Sequence, residues 1–139
     1  MRRPIIAGNW KLNTCSESGP ALVAALNAEV PAPSDKVEVV VCPPYPYLGL
    51  AAAEAAGSGV EVGGQNAWAE TSGAFTGEVA CEMLQDVGCK WVVLGHSERR
   101  QINGESDELI NTKVRKALDV GLKVILCVGE LLEDREGDR

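Results

Sequence analysis

The stretch that decides the fold is residues 91–100, Trp-Val-Val-Leu-Gly-His-Ser-Glu-Arg-Arg. Its first four residues are all apolar, which predicts a strand covered on both faces, as in a parallel sheet. Gly95 then permits a sharp turn, and Ser97 is placed to cap a helix that starts at once. His96, the only histidine of the chain, is therefore expected at the carboxyl end of a buried strand and the amino end of a helix. α/β folds carry out chemistry at that edge, and a helix N-terminus disfavours positive charge, so we expect a neutral imidazole near pH 7.

Length, composition and charge narrow the class of protein. The 139 residues suffice for one domain with a real core, and 45% of them are apolar. A formal net charge of −7 argues against nucleic acid or an anionic membrane as the main partner. Five cysteines without a C-x-x-C pair, together with a single histidine, argue against a disulfide framework or a zinc site and favour a reducing cytoplasm. We find no apolar run long enough for a signal peptide or a membrane span.

Strand-like and helix-like segments alternate about every 30 residues, the size of a βα unit with its crossover. Right-handed crossovers make all five strands parallel. The sheet could curl into a barrel, with helices on one face, or be doubly wound, with helices on both, and periodicity alone does not choose. Strands are predicted over residues 5–7, 37–41, 60–62, 91–94 and 124–128, the first of them short and buried. Helices are predicted from about 16–20 to 30, and over 47–56, 78–87, 106–120 with Ser106 as its cap, and 131–136.

Polar and charged side chains follow two of the predicted strands. Asn9 and Lys11 come after the first strand, and His96 and Glu98 come after the fourth. On a shared rim they suit the stabilisation of an enediolate, because Lys11 and Asn9 favour negative charge on a carbonyl oxygen and a neutral His96 donates to it. Glu98 would hold Lys11 in place. The ordinary alternatives stay open: a lone histidine at a strand end is more often structural, and an isolated lysine is more often simply solvated.

Several short motifs occur in the same order as in one known enzyme family. Residues 7–13 read AGNWKLN, and residues 93–100 read VLGHSERR. Residues 64–66, 73–78 and 127–130 read GQN, GAFTGE and CVGE. Together these motifs resemble the signatures of triosephosphate isomerase. Leu12 stands where methionine is common in the family, a change that conserves volume.

The resemblance implies a (β/α)8 TIM barrel that interconverts dihydroxyacetone phosphate and D-glyceraldehyde 3-phosphate, a step of glycolysis and gluconeogenesis, without a metal or other cofactor. On the matching positions, His96 is the catalytic electrophile, and Asn9 and Lys11 bind the substrate. Glu98 resembles the family's carboxylate beside the lysine, and Lys11 also helps to bind the phosphoryl dianion. The neutral histidine electrophile is a known property of this family.

The resemblance also implies a homodimer. The loop over residues 73–78 would insert into the partner subunit, close to the segment that follows the first strand, and Thr76 would approach the neighbouring active site. Arg99 would pair with Glu78 across the interface. The residues expected at the dimer interface are Cys15, Phe75, Thr76, Glu78 and Arg99.

The main departure from the family is length. An eightfold barrel needs ~250 residues, and this sequence carries five of the eight strand–helix units, so we expect residues 1–139 to form a single partial domain with its first and fifth strands as open edges. The family's glutamate base, its lid and its phosphate-binding loops belong to the later strand–helix units. Without that base and lid, we expect this polypeptide alone to be inactive or nearly so. Two alternatives stay open: a non-catalytic half-barrel that binds a phosphate ligand or acts as a scaffold, and one piece of a split enzyme.

Overall fold

The computed structural model describes residues 3–137, which form one parallel sheet of five strands. The strands are β1 (Ile5–Asn9), β2 (Glu38–Cys42), β3 (Val60–Gly64), β4 (Trp91–Leu94) and β5 (Lys123–Leu126). Their order in the sheet is their order in the sequence. The sheet therefore curls in one direction as an open half-barrel, and a doubly wound sheet, in which the strand order reverses, is excluded. The predicted α/β fold, an incomplete TIM barrel of about five parallel strands, is confirmed.

Six α-helices connect and follow these strands in the described part of the chain, and a short 3₁₀ turn, Tyr45–Tyr47, precedes the second of them. Gly57 and Gly121 follow two helices with φ values of 79° and 89°, the left-handed conformation in which glycine ends a helix at low cost. None of the described helices is both long and apolar enough to cross a bilayer. The helices are α1 (Ser18–Glu29), α2 (Leu48–Ala55), α3 (Cys81–Asp86), α4 (Ser97–Gln101), α5 (Asp107–Asp119) and α6 (Leu132–Glu136).

The sheet packs on both faces, because successive side chains of a strand point to opposite sides. Val41 and Val92 face the helices and belong to the larger apolar core. Val40, Val93 and Trp91 face the concave side and form a second cluster. All five are at most 4% exposed, so β2 and β4 are well packed, and they carry a rigid rim at their carboxyl ends.

The prediction that the first strand is buried is wrong. The side chain of Ile6 in β1 is 64% exposed. β1 pairs with β2 on one side and forms an edge of the described sheet, so a second neighbour that would cover it is not present among the described residues. β5 is the other edge, and its residue Leu126 is 46% exposed. The expectation of open edges at the first and fifth strands therefore holds for residues 3–137.

The third helix is shorter than predicted. It begins at Cys81 rather than at residue 78, because the backbone N–H of Trp68 donates to the carbonyl oxygen of Val79 at 2.8 Å and holds that segment extended. Among its apolar side chains, Leu84 is fully buried, whereas Met83 is 54% exposed.

Candidate active site

A hydrogen-bonded turn holds Asn9 and Lys11 at the carboxyl end of β1. The backbone N–H of Lys11 donates to Oδ1 of Asn9 at 3.0 Å, so the asparagine side chain takes the place of a backbone turn partner. Because Oδ1 is occupied, the Nδ2 hydrogens of Asn9 remain available to a ligand. Lys11 has a φ of 53°, in the left-handed region that is costly for a residue with a side chain.

His96 lies between β4 and α4 and caps that helix with its own ring. Nδ1 of His96 accepts a hydrogen bond from the backbone N–H of Glu98 at 3.2 Å. The prediction that Ser97 caps the helix is therefore wrong, and Ser97 is the first residue of the helix. The turn at Gly95, whose φ is 70°, lies where it was predicted, but it places the ring of His96 rather than the hydroxyl of Ser97 against the backbone N–H of Glu98. A nitrogen that accepts this hydrogen bond carries no proton, so the network assigns the ring N–H to Nε2.

Glu98 connects the lysine to the histidine. Nζ of Lys11 donates to Oε1 of Glu98 at 2.7 Å, and the other carboxylate oxygen of Glu98 lies 3.4 Å from Nδ1 of His96. The side chains of Lys11 and Glu98 are 52% and 48% exposed, so their ion pair orients the ammonium group and adds little to stability. The hydrogen bond from Lys11 holds the pKa of Glu98 below its ordinary value.

One open cleft at the carboxyl edge of the sheet is lined by Asn9, Lys11, His96 and Glu98 together. The structure therefore brings the sequence-predicted polar groups to one place. Gln65 also lines this cleft; it belongs to the GQN motif at residues 64–66, to which the sequence assigned no role at the site. No group of three or more histidine, cysteine, aspartate or glutamate side chains within residues 3–137 is placed to hold a metal ion.

A buried ionic cluster lies beside the cleft, and it was not predicted from the sequence. Nζ of Lys113 is fully buried and donates to Oε1 of Glu105 at 2.6 Å and to Oδ1 of Asn66 at 3.2 Å. Nε of Arg99 donates to the same oxygen of Glu105 at 2.6 Å. Burial alone would raise the pKa of Glu105, but the hydrogen bonds from Lys113 and Arg99 outweigh it and lower that pKa. Arg99 lines the cleft, so the cluster supports its wall.

The residues predicted at a dimer interface lie mostly on the surface of the single chain. Cys15, Phe75 and Thr76 are exposed, and Glu78 is half-buried. Within the chain, Arg99 pairs with the buried Glu105 cluster, and its pairing with Glu78 of a partner subunit stays a prediction. Hydrogen bonding to Ser18 lowers the pKa of the Cys15 thiol to about 7.

Comparison with known proteins decides the family. The sequence model of triosephosphate isomerase matches residues 4–139. The chain belongs to the triosephosphate isomerase family. The triosephosphate isomerase of Magnetococcus marinus is 50% identical over 139 residues, which cover 100% of this chain and 54% of the relative. That of Yarrowia lipolytica is 50% identical over 134 residues, which cover 96% of this chain and 53% of the relative. The chain therefore spans about half the length of the curated triosephosphate isomerases that it matches.

Proposed function

We propose that the chain carries the electrophilic part of a triosephosphate isomerase active site, which interconverts dihydroxyacetone phosphate and D-glyceraldehyde 3-phosphate through an enediolate. The observation that carries this proposal is the convergence of an ammonium, an imidazole and a primary amide on one cleft, from Lys11, His96 and Asn9. Family membership supports the same substrate class. Preorganised donors of this kind stabilise negative charge that develops on a carbonyl oxygen.

Each donor has a task in the proposed reaction. When a proton leaves the substrate carbon, charge builds on the carbonyl oxygen, where the ammonium of Lys11 and the amide of Asn9 stabilise it. Nε2–H of His96 donates to the same oxygen. The imidazole then gives this proton to the charged oxygen and takes one from the neighbouring hydroxyl, so the ring returns to its neutral form. The charge of Lys11 also attracts the phosphoryl dianion.

The proposed base for the carbon proton lies beyond these residues. Glu98 is the only carboxylate among the described residues that line the cleft, and its hydrogen bond from Lys11 lowers its pKa. A carboxylate of lowered pKa that is held by a cation is a weak proton acceptor. We therefore assign Glu98 to the orientation of Lys11. We expect the 139-residue chain by itself to show little or no isomerisation.

The test is a chimera in which residues 1–139 are joined to the remaining C-terminal portion of the Magnetococcus marinus relative. We expect the chimera to isomerise triose phosphates, and His96→Gln to lower kcat by at least about 100-fold. Lys11→Met should cause a loss of a similar size. A folded chimera without activity would contradict the proposal. It would favour the half-barrel as a phosphate-binding or scaffold module, especially if dihydroxyacetone phosphate still bound to the 139-residue chain.

We further propose that residues 1–139 form a single partial domain and that the protein works as a homodimer. The exposed loop with Phe75 and Thr76 and the exposed Cys15 support an interface there. Sedimentation of the chimera tests this proposal directly. A dimer that Thr76→Arg and Phe75→Glu both dissociate is the expected result, and a chimera that is monomeric and active would contradict it.

A further inference from the structure

We propose that Gln65 is a positioning residue that holds Lys11 in its left-handed conformation and thereby aims the ammonium group into the cleft. The catalytic role of Lys11 rests on the proposed function. The position of Lys11 itself rests on geometry and is tested without any measurement of isomerisation.

The segment after β1 is strained at two residues. Lys11 has a φ of 53°, and Thr14 has a φ of 82°. Non-glycine residues rarely adopt this conformation, and a β-branched residue such as threonine adopts it least readily. Such a conformation persists only when surrounding contacts determine it. The contacts that hold Lys11 therefore decide whether its side chain stays in the cleft.

Gln65 supplies a contact to Lys11 from another strand. It follows the last residue of β3, and its Nε2 atom donates to the carbonyl oxygen of Lys11 at 2.9 Å. The same Nε2 atom donates to the carbonyl oxygen of Cys42 at 2.9 Å, at the end of β2. That Cys42 oxygen also accepts from the backbone N–H of Trp10 at 3.1 Å. One amide group thus ties the strained segment to the carboxyl ends of β2 and β3.

Lys11 is consequently held at three points. Its backbone N–H donates to Asn9, its carbonyl oxygen accepts from Gln65, and its ammonium donates to Glu98. The contact to Glu98 is made by the ammonium and is open to exchange with a substrate. The contacts to Asn9 and Gln65 are made by the backbone of Lys11, so they can persist while the ammonium changes partners. Of these two, Gln65 provides the contact from another strand.

The chemistry of the contact requires a primary amide at position 65. A single nitrogen with two hydrogens donates to two carbonyl oxygens. The side chain of glutamine is long enough to bring its amide nitrogen to both of them. Methionine has a similar length without donors. Glutamate would place a carboxylate against two carbonyl oxygens and would repel them.

The carboxylate of Glu98 reports on the position of Lys11, because the hydrogen bond from Lys11 lowers its pKa. We would titrate the 139-residue chain by ¹³C NMR and follow the side-chain carboxyl carbon of Glu98. Gln65→Met should raise the pKa of Glu98 towards its ordinary value, in the same direction as Lys11→Met. Gln85→Met is the matched control, because Nε2 of Gln85 also donates to a backbone carbonyl, that of Val120, at 2.7 Å. It should leave the Glu98 titration unchanged.

A folded Gln65→Met variant with an unchanged Glu98 titration would overturn the proposal. If Gln65→Met does not fold, Gln65→Asn replaces it, because it keeps the amide but is one methylene shorter, and the same two outcomes apply. A second measurement uses Lys11→Gly, since glycine adopts a positive φ without strain. Gln65→Met should lower the urea midpoint more in the Lys11→Gly background than in the original chain, because relief of the strain at Lys11 offsets part of the loss in the original chain. Equal losses in both backgrounds would show that Gln65 does not hold the strained backbone.

In the active chimera, Gln65→Met should lower kcat/KM by about 10-fold or more, and Gln85→Met should not. If the chimera were inactive, the proposed function would fail while the Glu98 titration still decided the role of Gln65.

Discussion

Nζ of Lys11 and Oε1 of Glu98 lie 2.7 Å apart, although 87 positions separate these two residues in the sequence. They follow β1 and β4, and two further strands lie between those in the sheet. In a flat sheet, strands three places apart are separated by about 14 Å. The contact therefore depends on the curl of the sheet and on the loops that follow β1 and β4 at its carboxyl edge. The geometry of the cleft is thus a property of the curved half-barrel and not of either segment alone.

The tautomer of His96 is the first testable consequence of the site. Because Nδ1 accepts from the backbone N–H of Glu98, we expect the neutral ring to carry its proton on Nε2. Long-range ¹H–¹⁵N correlation spectra at about pH 8, where an ordinary imidazole is neutral, measure this. His96 is the only histidine in the sequence, so its signals need no further assignment. A spectrum of the Nδ1–H tautomer would contradict the capping arrangement.

The two serines near helix starts should differ in their effect on stability. Oγ of Ser106 accepts from the backbone N–H of Leu109 at 3.3 Å and caps α5. Ser106→Ala should therefore lower the free energy of unfolding by about 1 kcal/mol. Ser97 does not cap α4, so Ser97→Ala is the matched control and should change stability by less than about 0.5 kcal/mol. Urea unfolding followed by circular dichroism measures both, and an equal loss in the two variants would contradict the assignment of the caps.

Local sequence was sufficient for most of the fold. Apolar runs, followed by prolines after β2 and by glycines after the later runs, predicted β2 to β5 to within a few residues, and the pattern at Ser106 predicted the start of α5 correctly. The motifs around Lys11 and His96 led to the right family. These features depend on neighbours in sequence, which is why a single sequence contains them.

The features that could not be predicted depend on distant neighbours. Lys113 lies in a helix rich in charged residues, and it is buried because Glu105 and Asn66 from two other segments contact its ammonium. β1 has an apolar sequence, yet its exposure is decided by which strands lie beside it. α4 is capped by His96 rather than by the predicted Ser97, because after the turn at Gly95 it is the ring of His96 that reaches the backbone N–H of Glu98.

The buried carboxylate of Glu105 predicts how stability changes in acid. Hydrogen bonds from Lys113 and Arg99 outweigh burial and lower its pKa in the folded state. A group with a lowered folded pKa adds stability above its unfolded pKa, about 4.3 for glutamate, and this contribution is lost as pH falls through the folded value. Glu105→Gln should therefore make the urea midpoint less dependent on pH below about 4.3. An unchanged pH dependence in a folded Glu105→Gln variant would contradict the lowered pKa.

The largest single loss of stability is expected at Lys113. Its ammonium is 0% exposed and bonds to Glu105, whose side chain is 4% exposed. Lys113→Met removes one cation from a buried carboxylate and should lower the free energy of unfolding by about 3 kcal/mol. Arg115→Met, an exposed change in the same helix, is the control and should cost less than about 0.5 kcal/mol. Adding Glu105→Gln to Lys113→Met should recover part of the loss. In the double variant, residue 105 is neutral and no longer needs the cation that Lys113 supplied. Urea unfolding of the four chains measures these differences, and a loss of under about 1 kcal/mol for Lys113→Met would show that the ammonium is not buried in solution.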